Sequence, residues 1–502
     1  MQKDFLENSN TGDLSGKFLL FAAVISCLLV WYGAAGVRGT DQYWYVADVE
    51  TLSSGAARLS NNIFPGPMLR NGAVPEFNYF MHNSPVMLLI GWVSRYIDAY
   101  FAWIIVNSIC HFTVALCIYF ISLRYSSKSV STAVTGFYLI SPIALWQTIN
   151  PLLEMYFAAL VGVQLLCFFY REKTVCKYLL YITLLVGLMS HPIFLAPAFL
   201  WGLWAIVERS GKNVLVDITL ASFYFGMLVL CLKFKSFWFP SSFQPEMKAI
   251  IASAVPGSSN MFWHYSEQLP VIDMALLKLK VGYALKNQFL DAKLAPFYFF
   301  TNIALAITVY LALFRFSRWW RVLIPLGLFG CQYVSLIFLQ QNHPRYQQIV
   351  ACVTFVLIGI GLNQFIRRSN VGRKYFTLGV LAVSVVVIVL TFTVVQYGRT
   401  QSLSEAKEIE RLEQELAVVP DNARIVGINI KPHNPFSYII RPRQMLFIRT
   451  DMLNQKQSDR AIDLFDPDYF VVRLSDKYQT QGKFVKRLET KMFGELAVYS
   501  VR

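Results

Sequence analysis

Two carboxylates and one guanidinium stand where charge is expensive. Asp41 follows an apolar run at 18–37, Glu154 lies at the start of a second run at 152–170, and Arg345 precedes a third at 347–366. Charges at membrane ends cost desolvation energy unless they are paired or used. Two acids there can divide labour. One serves as general base toward an incoming nucleophile, while the other holds a metal, a water or a basic side chain. A guanidinium suits a phosphate or pyrophosphate carried on a lipid. Further candidates for holding a substrate are Tyr43, His82 and Asn83 in the loop 38–83, and His343 and Tyr346 beside Arg345. Structural readings compete with each. Either acid can be a solvated interfacial charge, and Glu154 can complement a helix dipole. His82-Asn83-Ser84-Pro85 has the form of an N-capping turn with proline at the first helical position. Arg345 can snorkel to lipid headgroups.

The elements that position these residues are apolar. The chain has 502 residues, 55% hydrophobic and 15% charged, against about 25% charged in soluble domains. Repeated runs near the length of a bilayer crossing make it a polytopic membrane protein, all-α in its spans. About eleven helices are expected, at 18–37, 100–122, 130–148, 152–170, two within 178–207 divided near His191-Pro192, 213–232, 295–314, 320–339, 347–366 and 375–396. Residues 85–97 read as a juxtamembrane or re-entrant piece. The net charge of +15 is not a nucleic-acid signal, because most of the excess lies in short loops where it sets topology. With the N-terminus in the cytoplasm, Arg124, Lys128, Arg171, Lys173, Lys177, Arg209, Lys212, Arg315, Arg318, Arg321, Arg367, Arg368, Arg373 and Lys374 all fall inside. The short outer turns then hold Arg345 as their exceptional cation.

The outer face thus collects the loop 38–83, the turn at Glu154, the long loop 236–292 and the turn at Arg345. The loop 236–292 carries Trp238, Trp263, His264, Tyr265, Lys278, Lys280 and Lys286, and suits a membrane surface, with or without a lipid-linked ligand. The tail 398–502 reads as a small soluble α/β domain, with a helix at 403–417 and strands near 423–428, 445–448 and 469–472. The domains expected are therefore a transmembrane domain, 1–397, with its two outer loops, and an extracytoplasmic domain, 398–502. Eight cysteines lie in or beside apolar spans with no CxxC pair, which argues against a disulfide framework or zinc site. The N-terminal run is too long for a signal-peptide core and reads as an uncleaved anchor.

In order and spacing over 18–366, the chain resembles the GT-C superfamily of membrane glycosyltransferases. It is most similar to the branch of protein O-mannosyltransferases and lipid A aminoarabinose transferase, glycosyltransferase family 39-like. The similarity rests on Asp41 with Tyr43, Tyr45 and Ala47, on His82-Asn83-Ser84-Pro85, on Ser141-Pro142, on Glu154 and on Arg345-Tyr346. It departs where the first loop reads Thr40-Asp41-Gln42 without an acidic pair, and where the second acid is Glu. The resemblance implies an integral membrane transferase of the inner or plasma membrane. Its donor would be a polyprenyl-phosphate-linked sugar and its acceptor an envelope glycan, lipid or protein. It implies Asp41 as the base, Glu154 as the second acid and Arg345 as holder of the donor phosphate. No cofactor is dictated, and a divalent metal is left open. Two other readings are a flippase for lipid-linked sugars, which would place ionisable groups at mid-membrane, and a non-catalytic scaffold.

Overall fold

The computed structural model describes residues 11–37, 42–43, 45–46, 49, 68–70, 85–190, 194, 263–266, 269–272, 274–340, 344–369, 373–430, 444–448, 455–474, 482–490 and 494–501. In chain order the first elements are α1 (Thr11–Gly33), β1 (Met68–Arg70), α2 (Pro85–Val93), α3 (Ala99–Tyr125), α4 (Lys128–Leu139), α5 (Pro142–Thr148), α6 (Glu154–Phe169) and α7 (Thr174–Ser190). A hairpin of β2 (Trp263–Ser266) and β3 (Leu269–Ile272) precedes α8 (Met274–Phe289) and α9 (Ala295–Gln340). A 3-10 helix, Pro344–Val350, runs into α10 (Ala351–Ser369), followed by α11 (Arg373–Glu415). The last elements are β4 (Arg424–Ile428), β5 (Gln444–Ile448), α12 (Gln455–Phe465), β6 (Tyr469–Arg473), β7 (Lys483–Thr490) and β8 (Gly494–Ser500).

This is a multi-pass membrane protein. Among the described residues four helices are long and apolar enough to cross a bilayer, or five if the bent pair α4–α5 is one span, and three shorter apolar helices accompany them. The span expected at 213–232 lies outside the described residues. Three expectations are corrected. The segments 295–314 and 320–339 form the single helix α9 with Pro325 inside it, because residues 314–321 carry arginines and aromatics but no glycine or proline to break a helix. The segment 375–396 and the tail helix 403–417 are likewise one helix, α11. The segment 130–148, expected as one helix, is bent by 50°. At that bend Ser141 is extended (φ −72, ψ 142), its hydroxyl caps Ala144 N–H, and Pro142 occupies the first turn of α5. Proline disfavours helical backbone in the residue before it and suits the first helical position. Farther on, α7 is described as far as Ser190, and the break expected at His191-Pro192 lies outside the described residues.

The chain packs into two compact units, each assembled from separate stretches. The first comprises Met1–Ala34, Ile104–Lys233 and Ala275–Arg399. Its interior is aromatic: Phe300 lies 4.7 Å from Phe355, and Tyr138 packs edge-on to Phe355 at 5.4 Å. Helices approach closely where side chains vanish, as at Gly361, where a Cβ would stand 2.6 Å from Ile307.

The second unit comprises Ala35–Trp103, Phe234–Met274 and Thr400–Arg502. It holds a six-stranded sheet in the order β1-β5-β4-β6-β8-β7. The central strand β4 pairs in parallel with β5 and β6, and the remaining pairings are antiparallel. Flanked on both edges, β4 is almost wholly buried and correspondingly apolar. The outermost strand β1 comes from the loop 38–83, pairing Met68 to Arg70 with β5. Beneath the sheet Tyr43 packs with Ile409, Leu412, Leu416, Val419, Ile425 and Val471. Tyr43 and the strand Met68–Arg70 thus belong to the same folded unit as the tail.

Candidate active site

The site grows from two helix starts in the first unit. After α5 the chain passes Asn150 and Pro151 and begins α6 with Glu154 in its first turn, where the helix dipole favours a carboxylate. After α9 the 3-10 helix opens with Pro344, followed by Arg345. These two starts meet. Arg345 Nε lies 3.2 Å from Glu154 Oε1. Arg345 Nη2 donates to the Tyr346 hydroxyl at 2.6 Å, and the guanidinium carbon stands 4.8 Å from the Tyr346 ring centroid.

Burial within the pair is unequal. The Glu154 side chain is 7% exposed and that of Arg345 is 23% exposed. The carboxylate sits behind, and the guanidinium is the more accessible partner. Of the roles open to the second acid, holding a basic side chain is the one this geometry matches. Removing either partner of a buried pair strands the other charge, at a cost of about 3–5 kcal/mol.

Amides brace both helix starts. Gln147 Nε2 donates to the Arg345 carbonyl at 3.4 Å. Asn107 on α3 donates to the carbonyls of Asn150 at 2.7 Å and Gln147 at 3.3 Å. These carbonyl acceptors fix which way each amide points. Asn107 Oδ1 and Gln147 Oε1 are buried and have no hydrogen-bond partner among the described residues. Deeper in, Gln348 Nε2 donates to the Tyr138 hydroxyl at 3.0 Å. Sequence reading passed over Asn107, Gln147, Gln348 and Tyr138. The available signal was amide side chains inside apolar runs, each requiring a partner where no bulk water reaches.

Of the other expected site residues, Tyr43 is buried in the second unit, its hydroxyl 2.9 Å from Glu405 Oε2 and 3.1 Å from the Val37 carbonyl. Asp41, His82, Asn83 and His343 lie outside the described residues. So do the side chains of Trp263, His264 and Tyr265. Among the described residues no three His, Cys, Asp or Glu gather as a metal site.

No protein-family model matches the sequence, and no curated protein matches it. Solved structures do. ArnT from Cupriavidus metallidurans in the apo state aligns with a TM-score of 0.59 at 12% identity, covering 98% of each chain. The same protein bound to undecaprenyl phosphate aligns with a TM-score of 0.52 at 12% identity, over 98% of this chain and 99% of that one. The Archaeoglobus fulgidus oligosaccharyltransferase in complex with Zn and sulfate gives a TM-score of 0.53 at 13% identity, over 95% of this chain and 72% of that one. Likeness at such identities is likeness of fold, and over nearly its whole length this chain has the fold of the GT-C membrane glycosyltransferases.

Proposed function

We propose that the protein transfers a sugar from a polyprenyl-phosphate carrier to an envelope glycan, lipid or protein on the extracytoplasmic face of the membrane. The observation that carries the reading is the Glu154–Arg345 pair, a guanidinium oriented by a buried carboxylate at the start of two apolar helices. A fold shared with a protein that binds undecaprenyl phosphate supports it.

In the proposed reaction an acceptor hydroxyl or amine attacks C1 of the sugar. The bond from C1 to the phosphate oxygen breaks, the anomeric centre inverts, and the polyprenyl phosphate leaves with the bonding pair. Asp41 takes the acceptor's proton. Arg345 stabilises the charge that collects on the departing phosphate, in a site where low dielectric strengthens the interaction. Glu154 holds the guanidinium through Nε, and the Tyr346 hydroxyl accepts from Nη2. Its part is to position Arg345.

Purified protein in lipid nanodiscs, given a panel of radiolabelled undecaprenyl-phosphate sugars and envelope extract, tests the reading. Transfer is expected from one donor. Loss of the acidic proton acceptor in Asp41→Asn is expected to slow transfer by about 10²–10⁴-fold. Wild-type turnover in that variant ends the base assignment. Translocation of the intact donor across liposomes, with no transfer product, would replace the transferase reading with that of a flippase.

A further inference from the structure

The 3-10 helix that presents Arg345 is seven residues long, Pro344–Val350, whereas such helices seldom exceed three or four. With three residues per turn, residues i and i+3 stand one above the other. Arg345 and Gln348 therefore share a face. In an α-helix the same spacing would turn them apart by about 60°.

The facing element, α6, offers two consecutive residues. Arg345 meets Glu154 at 3.2 Å, and Gln348 meets Met155, Nε2 to Sδ, at 3.4 Å. Two rungs thus join the same two elements. The inner rung continues into the bundle. Gln348 Nε2 donates to the Tyr138 hydroxyl at 3.0 Å, that hydroxyl lies 3.2 Å from His111 Nδ1, and His111 Nε2 lies 3.1 Å from Ser26 Oγ. All four side chains are buried. With the His111 proton on Nε2, Tyr138 donates to Nδ1 and Nε2 donates to Ser26, and the spine runs from the 3-10 helix through α4 and α3 to α1.

We propose that Gln348, held by Tyr138, is a positioning residue for Arg345. It keeps the segment in 3-10 register and so fixes the angle at which the guanidinium meets a lipid phosphate. This rests on the lipid-phosphate reading of Arg345. Packing alone does not call for such a spine, since apolar groups of the same shape fill space at least as well as a hydrogen-bonded pair. Hydrogen bonds are directional, and so add a constraint on the rotation of the segment that apolar packing sets less sharply.

The test uses full-length protein in nanodiscs with undecaprenyl phosphate as probe, in a double-mutant cycle. Gln348→Leu is expected to weaken binding about tenfold, and to do nothing further in an Arg345→Lys background, the non-additivity that marks residues acting as one. Tyr138→Phe, a milder change, should weaken binding in the same direction and with the same dependence on Arg345. Wild-type affinity in Gln348→Leu overturns the inference. So does an equal loss in both backgrounds, which would mark Gln348 as a packing residue. Wild-type protein that fails to bind undecaprenyl phosphate overturns the reading of Arg345 itself, and the inference with it.

Discussion

Tyr138 and Tyr43 are buried to the same degree, 0% and 1% exposed, yet their surroundings differ. Tyr43 is surrounded by aliphatic side chains in the second unit, and its hydroxyl is satisfied at the edge of that core by Glu405 and a backbone carbonyl. It is an apolar anchor with a polar handle. Tyr138 lies among membrane helices, and its hydroxyl is the middle link of a polar chain leading to the helix that carries Arg345. Where buried polarity merely completes a hydrophobic core, it contributes stability. Where it gathers in a bundle that could have been wholly apolar, it costs more to keep and is the place to test for function.

Experiments can break this contrast. The largest effect is expected at the ion pair. Glu154→Ala should lower stability by about 3–5 kcal/mol by stranding the Arg345 charge, read as a fall in melting temperature in detergent. Replacing both partners with glutamine should restore much of that stability while lipid-phosphate binding stays lost. Recovery of binding in the double variant would show that the pair is only structural.

Next comes the apolar core of the second unit. Leu412, fully buried beside Tyr43, should cost about 2–5 kcal/mol as Leu412→Ala, with undecaprenyl-phosphate affinity unchanged in protein that remains folded. A parallel loss of affinity would erase the distinction between the two regions. Gly361→Ala should cost about 1–3 kcal/mol by overpacking against Ile307, and a neutral result would mean that α9 and α10 can move apart freely. Arg487→Ala, which removes a half-exposed pairing with Glu495, should change thermal stability by less than about 1 kcal/mol.

The legible parts of this molecule are those in which local chemistry decides. Apolar runs marked α1, α3, α6 and α10. Charge at membrane ends pointed to Glu154 and Arg345, whereas the bend at Ser141 was missed although Pro142 signals it. Strands β4, β5 and β6 were visible because their buried, apolar character is continuous. Edge strand β7 was not, since Lys483, Lys486, Arg487 and Glu489, together with the register shift between Phe484 and Lys486, blur its alternation. Three-residue β1 was hidden for another reason: it pairs with β5, hundreds of positions away. The Gln348 spine escaped detection because it depends on 3-10 register and on the rotation of α4, neither of which a linear pattern encodes.

The central claim is that Arg345, held by Glu154, grips a lipid-borne phosphate. Native mass spectrometry of protein extracted with its own membrane lipids addresses it without any assumption about the sugar. The account predicts that wild-type protein carries a polyprenyl-phosphate species that Arg345→Ala has lost. The same adduct at the same occupancy on both proteins would contradict it.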